Sequence, residues 1–237
     1  METILQKVSK SKKILALVAL SLAFAVTLFA QTPSVIRNIR LPLWAELDAY
    51  PESPEAADTD SGQFDFPVKR MKSIAPFIID GMVYGWNFVY VPSDKARGVE
   101  EYLEVTEIVP SDVIKDGIKY SSPWISENNL NCWVEYKRTD SQVQTYNLWS
   151  SIKNPVIGGT GYAPVEKGFD GIEEAARESL KDAIRSYYRQ IIKNKPKEIT
   201  GSVLIRHFPT LGIDSGRYVI NLDFFLECGK IIEYTVY

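Results

Sequence analysis

Between residues 171 and 193 the apolar positions Ile172, Ala176, Leu180, Ala183, Ile184, Tyr187 and Ile191 recur at intervals of three and four. That period places them on one stripe of an amphipathic helix. Asp170 stands where an N-cap belongs, Glu173 follows at capping-box spacing, and Asn194, Lys195 and Pro196 end the pattern. Beyond it the pattern shortens to β-branched and aromatic runs. These predict strands over Ser202–Phe208, Arg217–Leu226 and Lys230–Tyr237, with turns at Asp214-Ser215-Gly216 and Glu227-Cys228-Gly229.

Upstream, Ile36, Ile39, Leu41, Leu43 and Trp44 make residues 31–50 an ordered segment with apolar surface. Pro51–Gly62 is acidic, carries prolines and lacks large apolar residues, so it reads as a flexible loop. Met71–Ile79 predicts a short helix whose interior Pro76 disfavours. Met82–Val91 and Tyr102–Val109 read as strands, stopped by Pro92 and Pro110. Asn131–Arg138 and Gln142–Trp149 read as a hairpin around Thr139-Asp140-Ser141, with Trp133 and Glu135 on one face and Val134 and Tyr136 on the other. Residues 153–169, with Gly158-Gly159-Thr160-Gly161, read as a Gly/Pro-rich connector. The sum is an α+β domain over residues 64–237, a mostly antiparallel sheet with one long helix of the C-terminal half packed on it. The order of elements also allows two subdomains, 64–152 and 165–237.

The N-terminal pattern is different in kind. The uncharged run Ile14–Ala30 follows Lys7, Lys10, Lys12 and Lys13, the build of an export signal. Cleavage after Ala30 keeps the whole apolar run, whereas Ala23-Phe24-Ala25 better fits the small-x-small rule; an uncleaved anchor is the third reading. The expected organisation is a signal peptide over 1–30, an N-terminal segment with the acidic loop over 31–63, and the α+β domain. The expected location is the periplasm or the exterior.

Charge then narrows the partners. The chain has a formal net charge of −3; without residues 1–30 it carries 23 basic and 29 acidic residues, a net of −6. Such a balance argues against general nucleic-acid binding, which needs a clustered positive footprint. Cys132 and Cys228 are the only cysteines. In an oxidising compartment they are free to pair, a restraint worth roughly 4–5 kcal/mol in the entropic model, but sequence does not show that they meet. With no CxxC, neither a redox motif nor a zinc knuckle is present.

Catalytic motifs fail on inspection. His207 is the single histidine, which rules out a multi-histidine metal site, and it falls in a predicted strand. Gly212-Ile213-Asp214-Ser215-Gly216 has Asp214 where a nucleophile elbow needs serine. Gly158–Gly161 lacks the GK[ST] of a phosphate loop. Asp58-Thr59-Asp60-Ser61-Gly62 opens like a calcium loop, but Lys69 stands where a bidentate glutamate is required. The pairs Glu100-Glu101 and Glu173-Glu174 fit a strand and a helix first turn better than a carboxylate dyad. No cofactor or metal is expected.

Two surface features remain. Arg177, Lys181, Arg185, Arg189 and Lys193 repeat every four residues, a row that curls around the helix and serves either as a solvated face or as a docking surface for an acidic partner. Five tryptophans, at 44, 86, 124, 133 and 149, supply large amphipathic bodies suited to interfaces or sugar stacking if they are exposed.

The signal end Thr27-Leu28-Phe29-Ala30-Gln31 and the opening Arg40-Leu41-Pro42-Leu43-Trp44-Ala45-Glu46-Leu47-Asp48 resemble exported envelope proteins of spirochaetes. The resemblance covers the N-terminal region and holds no functional motif. It implies a periplasmic setting in which sheathed flagella run beneath the outer membrane. The expected function is therefore a non-enzymatic envelope protein acting through protein–protein contacts, an accessory part of a periplasmic assembly such as a flagellar sheath, with other envelope proteins as partners and no membrane span once the signal is removed. A glycan or small-ligand module using exposed Trp and Tyr is the alternative, and an acid/base hydrolase of envelope polymers the second.

Overall fold

A helix that is apolar on every side belongs between layers, and the C-terminal half of α1 (Asp65–Val83) has that character. Every residue from Ile74 to Val83 is buried, in a computed structural model that describes residues 37–47 and 64–234. The export run Ile14–Ala30 with its cleavage sites, the acidic loop Pro51–Gly62 with its calcium-like Asp58 and Asp60, and the chain end from 235 lie outside the described residues. The described residues from Ile39 onward form one compact unit.

Two sheets enclose α1. A three-stranded sheet of order β1-β5-β4 comprises β1 (Asn38–Glu46), β5 (Asn129–Lys137) and β4 (Lys119–Ser126). Its inner face, Ile39, Leu41, Leu43, Ala45, Leu130, Cys132 and Val134, is buried in the main core. The larger sheet runs β3-β2-β7-β9-β6, with β8 also paired to β9, and its described ladders are all antiparallel. These strands are β2 (Trp86–Val91), β3 (Tyr102–Glu107), β6 (Val156–Pro164), β7 (Glu198–Ile205), β8 (Thr210–Asp214) and β9 (Arg217–Ile232). Strands from both 64–152 and 165–237 thus share one sheet.

The long helix α4 (Gly168–Ile191) lies on this sheet, most closely on β6, which bears out the α+β reading. Ile172, Ala176, Leu180, Ala183 and Ile184 are buried as the periodicity requires. Tyr188 takes the last core position, while Ile191 is exposed. The start differs from expectation: α4 opens after Lys167 with no side-chain cap, so Asp170 is no N-cap, and Glu173 pairs with Arg177.

Five other expectations are corrected. Residues 140–149 form helix α3 (Asp140–Trp149), not a strand, because Thr139 and Gln142 make a reciprocal capping box. The hairpin partner of β5 is β4, joined through Glu127 and Asn128 at positive φ. Gly158–Gly161 is strand β6, not a connector. Glu227–Gly229 lies within β9, where the register with β7 slips between Ile199 and Gly201: a bulge replaces the turn. The Asp214–Gly216 turn does form, with Ser215 and Gly216 both left-handed, between β8 and β9. The helix around Met71 runs far beyond its predicted limits; the carbonyl that Pro76 leaves unmatched belongs to Lys72, an exposed residue.

Helix α3 covers the other face of the large sheet. Leu204 and Phe225, paired across β7 and β9, form with Trp149 and Tyr146 a small cluster distinct from the main core. A short helix, α2 (Asp112–Lys115), carries the chain from β3 to β4 and packs near α1 through buried Ile114.

Candidate functional site

The outer face of the small sheet carries the aromatic residues that the core leaves over. Trp133 and Glu135 share one face of β5, as the alternation predicts, and burial makes that face the outward one, with Cys132 and Val134 inward. Register then sets Ser121 opposite Trp133 and Trp124 opposite Asn131, with a slip between Ser121 and Trp124 at Ser122, whose φ is positive. The two indoles lie 5.8 Å apart between centroids, tilted by 39°. The Arg40 guanidinium stacks 4.3 Å above Trp133 and its Nε sits 3.1 Å from Glu135. Ser121 Oγ donates to the same Glu135 carboxylate at 3.3 Å. Trp124 remains 37 % exposed. An exposed ion pair such as Arg40–Glu135 contributes little to stability. A Trp pair with a stacked arginine and a polar frame has the composition of a binding surface.

A second feature is a cleft of about 240 Å³ between the C-terminal end of α4 and the β2–β3 region. Glu101 stands at its side. Arg185 Nε and Nη2 each donate to the Glu101 carboxylate at 2.8 Å, and Tyr90 donates its hydroxyl to it at 2.6 Å. Burial alone would raise the Glu101 carboxyl, but the Tyr90 and Arg185 hydrogen bonds and the charges of Arg185 and Lys181 hold it below the usual range. Arg189, Lys193 and Lys195 also line the cleft.

The predicted basic row therefore divides. Arg177 pairs with Glu173, and Lys181 with Glu178, as a solvated helix face would. Arg185, Arg189 and Lys193 converge on the cleft, where Lys195 joins them from the α4–β7 connection. The Cys132–Cys228 pair is not made: Cys132 is buried on β5, 3.5 Å from Met71 Sδ, whereas Cys228 is exposed on β9 of the other sheet. His207 lies in the connection after β7, exposed, rather than in a strand. Of the tryptophans, Trp86 and Trp149 are core, Trp44 is half-buried against it, and Trp124 and Trp133 make the surface pair.

Sequence reasoning missed Arg40, Tyr90 and Lys195. Each acts beside a residue distant in the chain, and no local pattern marks such a pairing. Among the described residues, no group of three or more His, Cys, Asp and Glu is placed to hold a metal ion.

A relative in Treponema pallidum (strain Nichols), an uncharacterized protein, is 28% identical over 215 residues, covering 84% of this chain and 83% of the relative. The similarity thus runs through most of the chain, not the N-terminal region alone. No solved structure matches. A protein-family model matches residues 27–234, and the chain belongs to that family.

Proposed function

We propose that this protein is an exported, non-enzymatic component of the cell envelope that works by protein–protein contact through the outer face of its three-stranded sheet. The carrying observation is the surface pair Trp124–Trp133 with Arg40 stacked on it. Indoles on an open sheet face suit a flat partner better than a small ligand, because a small-molecule site needs a concavity. Export is supported by the basic-then-apolar pattern at residues 7–30. In the cleft, Glu101 is the only carboxylate among the described lining residues and is held by Arg185 and Tyr90, an arrangement unsuited to paired-carboxylate hydrolysis.

The test is photo-crosslinking in intact cells from position 119, which pairs with Glu135 beside the Trp pair. Discrete adducts with an envelope protein are expected there, lost in Trp124→Ser, and absent from exposed position 152. Recovery of the protein only as an uncrosslinked monomer would sink the reading. Trp124-dependent binding to purified cell-wall glycan, without protein adducts, would replace it with the glycan-binding alternative.

A further inference from the structure

We propose that the cleft at the C-terminal end of α4 binds a phosphoryl group, carried by a small phosphoester, through Arg189, Lys193 and Lys195. This site is separate from the aromatic sheet face and stands on different residues.

The argument starts from charge. The charged residues lining the cleft are Glu101, Arg185, Arg189, Lys193 and Lys195, a local excess of three positive charges on a chain whose formal net charge is −3. Glu101 and Arg185 satisfy each other through the double hydrogen bond, and Tyr90 completes the carboxylate. Arg189 and Lys193 have no carboxylate partner among the described residues, and Lys195 donates only to the Ser93 carbonyl, at 2.7 Å. The helix end itself asks for far less. A C-terminal macrodipole amounts to roughly half a negative charge, so three uncompensated cations exceed what the helix can use. Like charges held together without a partner repel, and an anion between them removes that cost.

Shape agrees with charge. Tyr90, Tyr188 and Ile199 are buried at the cleft, and Pro92 and Pro196 also line it. Lys195 Nζ donates to the Ser93 carbonyl, tying two lining residues together. A volume of about 240 Å³ lies below the roughly 300–1,000 Å³ of drug-sized sites, so the ligand is small. A phosphoryl group matches the donors: a guanidinium offers a planar fork to two of its oxygens and each ammonium a point charge to a third. The aromatic and prolyl walls leave room for a sugar-sized remainder.

The test uses calorimetric and NMR titration of the protein with inorganic phosphate and with glucose 6-phosphate, at constant ionic strength. Saturable binding is expected. Arg189→Gln with Lys193→Gln should weaken it at least tenfold, while Lys167→Gln with Arg177→Gln, toward the other end of α4, should leave it unchanged. All four residues are exposed, and circular dichroism checks that each variant keeps its fold. Vesicles of phosphatidic acid form a second arm: binding to them but not to glucose 6-phosphate, lost in the Arg189/Lys193 variant, assigns the phosphoryl group to a lipid headgroup. No binding in either arm overturns the proposal. So does binding that the Arg189/Lys193 variant retains, or that the Lys167/Arg177 variant loses equally.

Discussion

Gly161 on β6 lies against Ala175 on α4 so closely that a Cβ on the glycine would overlap the alanine carbonyl oxygen. The same holds one strand period earlier, where a Cβ on Gly159 would overlap the Ser179 carbonyl. The helix answers with small residues at Ala175, Ser179 and Ala183, and Ser179 Oγ donates to the Gly159 carbonyl at 2.7 Å. Gly161→Ala is therefore expected to push helix and sheet apart and cost about 2–3 kcal/mol. Urea unfolding followed by circular dichroism measures this. Gly212→Ala, at a site with nothing near its Cβ, serves as the control and should change stability by a few tenths of a kcal/mol at most.

Asp80 predicts a pH dependence. It is fully buried on α1, and burial first, then the charge of Glu107, push its carboxyl up to about 7, with the Trp86 side chain pulling the other way. A carboxyl whose folded value exceeds the unfolded one, 3.8, favours folding when protonated. Its contribution is complete below the unfolded value and is lost as pH rises through about 7. Asp80→Asn should thus gain roughly 1–3 kcal/mol over the parent at pH 8 and much less at pH 4. Urea midpoints at the two pH values decide it; a gap independent of pH rejects the assignment.

Arg138 supplies what α1 lacks. That helix has no basic residue in its last turn, and Arg138 Nη2, buried, donates to the Met82 carbonyl there at 2.7 Å. Burial pushes the guanidinium down to about 10, against the opposing pull of Tyr146 and Tyr136. Arg138→Met should cost about 2 kcal/mol, the worth of a buried hydrogen bond from a charged donor. Hydrogen exchange at the Tyr84 and Gly85 amides, which both bond to the Asp80 carbonyl, should accelerate in the variant.

The thiols give a direct check on topology. Cys228 is exposed, while Cys132 is buried and burial raises its thiol pKa. A thiol reagent should label one cysteine in the native protein and the second only after unfolding. Two rapidly reacting native thiols would contradict the placement of β5, and none would reveal a bridge.

How much of this is legible in the sequence depends on whether one element's own face carries the signal. The α4 stripe is legible because Ile172, Leu180 and Ile184 all face one sheet. Helix α3 carries a weaker stripe, Gln142 and Trp149 buried with Tyr146 between, and the Thr139–Gln142 cap was its better signal. Strand β4 is nearly all exposed, so it has no alternation to read. Strand β6 reads as loop because glycine weakens isolated strands; its glycines make sense only beside Ala175 and Ser179.

The sequence by itself determined the α+β class, the long helix, the Asp214–Gly216 turn and the shared face of Trp133 and Glu135, since each follows from local period or turn chemistry. Only the tertiary structure decided that Arg185 would meet Glu101, 84 residues away, leaving Arg189 and Lys193 over an open cleft. It alone decided that Trp124 would lie beside Trp133, on which Arg40 stacks, rather than in the core. The reason is physical: periodicity reports which side of one element avoids water, whereas a site is made where several elements meet, and that meeting is set by packing between them.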